Sequence, residues 1–205
     1  MISLGDSGFT HIRLGHVLHT SPHQTHAFNT PYQLSQIPPQ VRRQVREFGG
    51  DVPLGDQPGD ADLSAHTLQH GDVVIMATDG VWDNLSEDEI LEIVSRQYRG
   101  AEVWQDSGKE KSVRLSTRNL ALSIQDDKPH PGMPVKGEKP LQVSIATAIV
   151  AAAKKAGLDE KRDGPFARAV QKAYPWERYH GGKPDDVCVV VLVAVEEGRM
   201  EVAKL

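Results

Sequence analysis

The chain has 205 residues, 39% hydrophobic and 25% charged, the proportions of a globular protein; the length suits one domain with a sizeable core, or part of a larger one. Its 23 Lys/Arg against 28 Asp/Glu give a net charge of -5, without the basic excess of a general nucleic-acid binder. One cysteine, Cys188, excludes an intrachain disulfide, and no run reaches the roughly 20 apolar residues that span a bilayer.

The opening residues, Met1-Ile2-Ser3-Leu4-Gly5-Asp6, have neither the basic start of a signal peptide nor an Arg-rich amphipathic helix, and read as the middle of a strand. Residues 2–20 alternate apolar with polar around Gly8 and Gly15, the pattern of strand, turn, strand. Residues 21–62, rich in Pro, Gln, Asn and Gly, read as loop with a short basic amphipathic stretch near 40–48. Residues 63–68 alternate like a half-buried strand, and Gly71-Asp72 makes a turn. The continuous apolar run at 73–77 suits a fully buried strand ending in Thr78-Asp79-Gly80. A helix follows, announced by Ser86 with Glu89 three residues on and by acidic residues in the first turn, with Ile90, Ile93, Val94 and Tyr98 on one face.

Residues 101–140 are polar and punctuated by Gly, Pro and Lys, and are expected to form a solvent-exposed insertion. Helical patterns return at 141–155 and 166–173. After Gly181-Gly182-Lys183-Pro184-Asp185-Asp186, residues 187–195 read as a second buried strand of nearly pure β-branched side chains, with Cys188 a small buried hydrophobe in a reducing compartment.

Two apolar strands thus each touch an Asp, one at its end and one at its start. Adjacent and antiparallel, they would deliver both carboxylates to the same sheet edge. Asp79 alone reads equally as a turn residue, and Asp185-Asp186 as a solvated loop. Taken together, oxygen ligands with no Cys/His cluster favour a hard cation, magnesium or manganese, over zinc.

Three motifs carry a family resemblance. Leu4-Gly5-Asp6-Ser7-Gly8-Phe9, Ala77-Thr78-Asp79-Gly80-Val81-Trp82-Asp83-Asn84 and Gly181-Gly182-Lys183-Pro184-Asp185-Asp186-Val187 resemble, in order, signatures of the metal-dependent Ser/Thr protein phosphatases of the type 2C (PPM) family. Gly8-Phe9, Phe28-Asn29-Thr30-Pro31-Tyr32-Gln33-Leu34 and Pro165-Phe166-Ala167 resemble its mitochondrial branch. The resemblance implies an α/β (α+β) fold, a four-layer αββα sandwich of antiparallel sheets, here N-terminally incomplete and occupying 1–205 as a partial catalytic domain. It implies hydrolysis of phosphoserine and phosphothreonine in proteins by a metal-activated water, with two Mg2+ or Mn2+ ions in the complete site. Asp79 and Asp185 match metal ligands; Asp6, Asp83, Asp186 and Gly80 match weaker metal or supporting positions; Ser7 is structural. The family's first metal motif belongs upstream of Gly5, so the expectation is weak turnover by this chain. The partner implied is a phosphoprotein, with no nucleic acid and no membrane span; the chain itself is expected to be a monomer, in mitochondria by branch resemblance and otherwise in the cytoplasm.

Two rival readings follow. A pseudophosphatase would bind a partner without hydrolysis. A serine esterase would use the Gly-Asp-Ser turn with Ser7 as nucleophile and Asp127-Lys128-Pro129-His130 as its later acid–base pair, although a hairpin rather than a helix follows Ser7. His11, His16, His19, His23 and His26 lie on a hairpin and loop where shared ligation is not expected. Lys154-Lys155 and Lys161-Arg162 read as a solvated helix end, and Trp82 as packing beneath the metal loop.

Overall fold

The computed structural model describes residues 1–49, 55–108, 112–124 and 139–196. The chain runs β1 (Ile2–Ser3), β2 (Gly8–Arg13), β3 (His16–Thr20), β4 (Thr25–Ala27), β5 (Thr30–Pro31), α1 (Pro39–Phe48), β6 (Asp62–Leu63), β7 (Val73–Ala77) and α2 (Asp79–Trp82). It continues through α3 (Glu87–Gly100), β8 (Trp104–Asp106), β9 (Val113–Leu115), α4 (Thr117–Ser123), α5 (Leu141–Gly157), α6 (Pro165–Ala173) and β10 (Val189–Val193).

The fold is a mixture of helices and antiparallel sheet. Its central sheet has the order β10-β7-β2-β3, every neighbour antiparallel. Because side chains alternate across a strand, Ile12, Val73, Ile75 and Ala77 fall on one face, where they meet Ile90, Val94 and Tyr98 of α3 and Leu141, Ile145, Ile149 and Ala153 of α5. That face is the core. Ser86 starts α3 with the expected reciprocal cap: its hydroxyl accepts from the Glu89 amide, and its own amide donates to the Glu89 carboxylate at 2.9 Å.

The second buried strand of the sequence reading is shorter and more open than expected. β10 covers only Val189–Val193, and its alternate residues Val190 and Leu192 are 45% and 49% exposed. It is an edge strand with helix α5 over one face, so the all-apolar run does not imply burial on both faces. Cys188, expected to be buried, is exposed for the same reason. Beside this open face the ribbon formed by β1 and β6 brings Met1, Ile2 and Leu4 around a cavity of about 320 Å³ that Phe9, Met76 and Val190 also line. The expected strand at 63–68 is reduced to this pairing at Asp62–Leu63.

The expected insertion is not solvent-exposed throughout. Val103, Trp104, Leu120 and Ala121 are buried, and the Trp104 ring lies 4.4 Å from that of Tyr98. The few apolar residues over these nineteen polar-rich positions have no helical period to read, yet Val103, Trp104 and Leu120 join the core, with Val113 and Leu115 packed against it, and β8 lies on α3. The Asp127-Lys128-Pro129-His130 segment lies outside the described residues.

At the end of β7 remote from Asp79, Asp72 is buried and held by four hydrogen bonds. Arg13 reaches it with Nε at 2.7 Å and Nη2 at 2.6 Å, His11 Nε2 lies at 2.8 Å, and the Gln69 amide donates at 2.7 Å. Burial pushes the Asp72 carboxyl up, but Arg13, the Gln69 amide and His11 together hold it below its ordinary value. A depressed carboxyl contributes stability above its unfolded pKa and loses it as pH falls through the folded one. Thermal melting from pH 7 to 3 is therefore expected to show a stability loss below about pH 4 that is shallower in Asp72→Asn; equal slopes in the two proteins would remove Asp72 from the account. In urea denaturation at pH 7, Ile145→Ala is expected to cost about 2–5 kcal/mol, against about 0.5 kcal/mol or less for Val190→Thr on the open face.

Candidate active site

The antiparallel pairing of β7 with β10 sets Ala77 opposite Val189. The chain leaving β7 and the chain entering β10 therefore meet at one end of the sheet. Beyond the strands the pairing continues: the Thr78 amide donates to the Cys188 carbonyl at 3.2 Å, and the Cys188 amide donates to the Thr78 hydroxyl at 3.0 Å. That hydroxyl in turn donates to the Asp186 carbonyl at 2.9 Å. The loops approach so closely that a Cβ on Gly80 would lie 2.5 Å from the Asp186 carbonyl oxygen, and one on Gly182 would collide with the Ala156 carbonyl at the end of α5. Glycine at both positions answers this contact.

Asp79 opens the short helix α2 and Asp83 follows its last residue, four positions on and so on the same side. Asp185 arrives from the opposite loop. Each of the three places a carboxylate oxygen so that all lie within 4.8 Å of one another. Between them stands the ammonium of Lys183, 2.9 Å from Asp79, 2.7 Å from Asp83 and 3.1 Å from Asp185. Lys183 Nζ also donates to Asn29 Oδ1 at 3.2 Å and lies 5.3 Å from the centre of the Phe166 ring.

The electrostatics follow from burial against this one cation. Burial pushes the Asp83 carboxyl above its ordinary value, more than Lys183 can reverse, and the neighbouring Asp79 adds to the rise. Burial also pushes Asp185 up, but there the Asp186 amide and Lys183 prevail and hold it below the usual range. Burial lowers Lys183, and the three carboxylates overcome that, raising it above an ordinary lysine.

Two residues without an assigned role in the sequence reading hold the loops. Asn84 is buried; its Nδ2 donates to the Gly80 carbonyl at 3.0 Å and the Lys183 carbonyl at 2.7 Å, while its Oδ1 accepts from the Lys183 amide at 2.9 Å. Arg162, expected to be solvated, instead donates to the Asn84 carbonyl at 3.1 Å and to both Glu89 oxygens at 2.6 Å. Only the place of Asn84 at the end of the Asp79 motif could have signalled the first; Arg162 is brought in by the turn after α5, which no local pattern announces.

The other candidates are placed apart. Gly8 pairs with Ala77, which puts the turn holding Asp6 at the same sheet end, but the Asp6 carboxylate is not among the clustered three. Asp186 is exposed and meets its neighbours through its backbone: its amide donates to Asp185 Oδ1 at 2.8 Å. Among the described residues no histidine hydrogen-bonds to Ser7. Trp82 is buried with its Nε1 donating to the Ala77 carbonyl at 2.9 Å, beneath the Asp79 loop. The N-terminal histidines diverge: His11 meets Asp72, His19 packs on His66 at 4.4 Å, and His26 bonds Asp56 at 2.9 Å.

No family model matches the sequence. Curated relatives do. The chain is 34% identical over 198 residues, 96% of its length, to the protein phosphatase PTC7 homolog fig of Drosophila yakuba. It is 34% identical over 155 residues to the PTC7 homolog of Danio rerio and 33% over 162 residues to that of Xenopus laevis, each match covering 73% of this chain. Among solved structures it is similar to the photosystem II phosphatase PBCP, with a TM-score of 0.59 and 22% identity over 94% of this chain and 57% of that one; at this identity the likeness concerns the fold. The fold and the comparisons define a homologue of the type 2C protein phosphatases. Within that class its curated relatives are the PTC7 protein phosphatases, and the chain spans about half their length, 47% of the Drosophila yakuba protein.

Loss of the Asn84 side chain removes the partner of the Gly80 carbonyl on one loop and of the Lys183 carbonyl and amide on the other. Asn84→Ala is expected to lower stability by about 1–3 kcal/mol in chemical denaturation, and a change indistinguishable from zero would show the loops to be held by other contacts.

Proposed function

We propose that the chain takes part in metal-dependent hydrolysis of phosphoserine and phosphothreonine in proteins, with Asp79 and Asp185 as metal ligands and Asp83 as a third, weaker one. The observation that carries this reading is the convergence of three carboxylates at one sheet end within 4.8 Å. An all-oxygen, acidic donor set suits a hard divalent cation, Mg2+ or Mn2+, and a cation of the chain's own, the Lys183 ammonium, already rests among these oxygens. When bound, divalent ions supply Lewis acidity toward a phosphoryl oxygen and make an attacking water acidic enough to ionise near neutral pH. The chain's residues do the positioning. Asp79 and Asp185 hold charge at the rim of the sheet, Asn84 and Thr78 fix the two loops that carry them, and Gly80 lets the loops touch. Three carboxylates cannot complete the coordination of two six-coordinate ions, so water or further oxygen donors complete the shell. Residence in mitochondria is proposed on the branch motifs alone.

A second reading, binding of a phosphoprotein without hydrolysis, is favoured by one observation: Lys183 already neutralises the cluster. Calorimetric titration with Mn2+ beside phosphate release from a phosphothreonine peptide separates the two. Under the hydrolytic reading Mn2+ binds, phosphate release requires it and stops with chelator, and Asp79→Asn or Asp185→Asn weakens binding by more than the roughly 100-fold cost of losing an outer-shell partner. Metal binding without any metal-dependent release would leave only the binding role, and wild-type affinity in both variants would sink the ligand assignment.

A further inference from the structure

Three carboxylates from two remote segments do not gather for nothing. Unneutralised, like charges at this spacing repel and force protonation. In this chain the neutralising charge is covalently attached: Lys183 lies two residues before Asp185 and reaches Asp79, Asp83 and Asp185 at 2.9, 2.7 and 3.1 Å. Its Cα is fixed independently of its head group, because the Lys183 amide and carbonyl are both bonded to the Asn84 side chain. The ammonium itself is held by contacts that a flexible side chain can make or leave. Two of them, to Asn29 Oδ1 at 3.2 Å and the Phe166 ring face at 5.3 Å, lie outside the carboxylate cluster and offer it another environment.

An ion bonded to these oxygens at roughly 2.0–2.2 Å would sit within about 3.5 Å of the ammonium nitrogen as now placed. Two cations, one divalent, at that separation in a partly buried site repel strongly. The ammonium and the metal therefore exclude each other. We infer that Lys183 is a tethered counter-cation: it holds the Asp79–Asp83–Asp185 cluster together before metal arrives and must swing out for a divalent ion to enter. This rests on the metal-site reading above and adds to it a competitor that sets how much metal is needed to load the site. The lysine is a positioning residue for the three carboxylates, with a direct consequence: removing it destabilises the metal-free protein and tightens metal binding.

The test uses the full chain, with Mg2+ and Mn2+ as probes. In chelator, Lys183→Met is expected to melt below wild type; in calorimetry it is expected to bind Mn2+ about tenfold more tightly. Lys154→Met, which removes a nearby charge from α5 without touching the carboxylates, is the control for general electrostatics and is expected to change affinity less than about twofold. Because Lys183→Met can misfold, a second measurement uses unmutated protein. Acylation of lysines read by mass spectrometry is expected to show Lys183 protected in chelator and reactive in saturating Mg2+. Equal Mn2+ affinity in wild type and Lys183→Met, or Lys183 reactivity unmoved by bound metal, overturns the inference while leaving the metal site standing. If no protein binds metal yet Lys183→Met still melts lower in chelator, the metal-site reading fails and the counter-cation role survives it.

Discussion

The register between β7 and β10 is the constraint from which the site descends. With Ala77 paired to Val189, the residues just past one strand and just before the other share a sheet end, although they lie more than a hundred positions apart in the chain. A slip of one residue would turn every side chain of β10 to the other face and move Asp185 away from Asp79. What prevents the slip is partly the core, where Val189, Val191 and Val193 pack on the helix side, and partly the Thr78 hydroxyl, which serves both the Asp186 carbonyl and the Cys188 amide. Gly80 permits that tight join, since a side chain there would push the loops apart, and Gly182 lets the Asp185 loop pack against the end of α5.

Around this join the structure uses a small number of polar groups more than once. Glu89 caps the start of α3 and also receives Arg162, and the same guanidinium reaches the carbonyl of Asn84. Asn84 in turn holds both site loops. Burial pushes the Glu89 carboxyl up, but Arg162 and Ser86 together hold it below its ordinary value. A helix cap, an ion pair and the loop bearing Asp79 are therefore one connected unit, joined by three hydrogen-bonded steps from Glu89 to Arg162, from Arg162 to Asn84, and from Asn84 to Gly80 and Lys183.

The parts of this arrangement that were readable in the sequence are those written in local patterns. The apolar run at 73–77, the Ser86–Glu89 cap and the two Asp motifs each occupy a few consecutive residues, and the structure has β7 and α3 where those patterns put them. The convergence of the two aspartates needed one further premise, that both strands are neighbours, and the pairing of β7 with β10 satisfies it. Burial was harder. An uninterrupted valine run reads the same in a central strand and in an edge strand, so the exposure of Val190, Leu192 and Cys188 had no local signal. Trp104 and Leu120 were hidden for the opposite reason, short apolar pairs in a polar segment whose packing partners lie on other elements. Arg162 reaches Glu89 and Asn84, and Lys183 reaches Asp79, over 73 to 104 positions of sequence, a range at which charge patterning says nothing.

The two ends of β7 show what separates a structural acid from one kept available. Asp72 is almost fully buried and receives a backbone amide, an imidazole and two arms of a guanidinium, donors whose positions are set by the sheet itself. Three of these donors fall on Oδ2 and one on Oδ1, and burial closes the carboxylate to a ligand. At the other end Asp79, Asp83 and Asp185 keep side-chain exposures of 25%, 22% and 32% and share one ammonium among the three. A protein selected only for stability would replace such a cluster with apolar packing, since desolvating several charges around one cation recovers little. Retaining three acids at a rim, on loops braced by buried hydrogen bonds, makes sense where the carboxylates themselves are the working parts and their present cation is exchangeable.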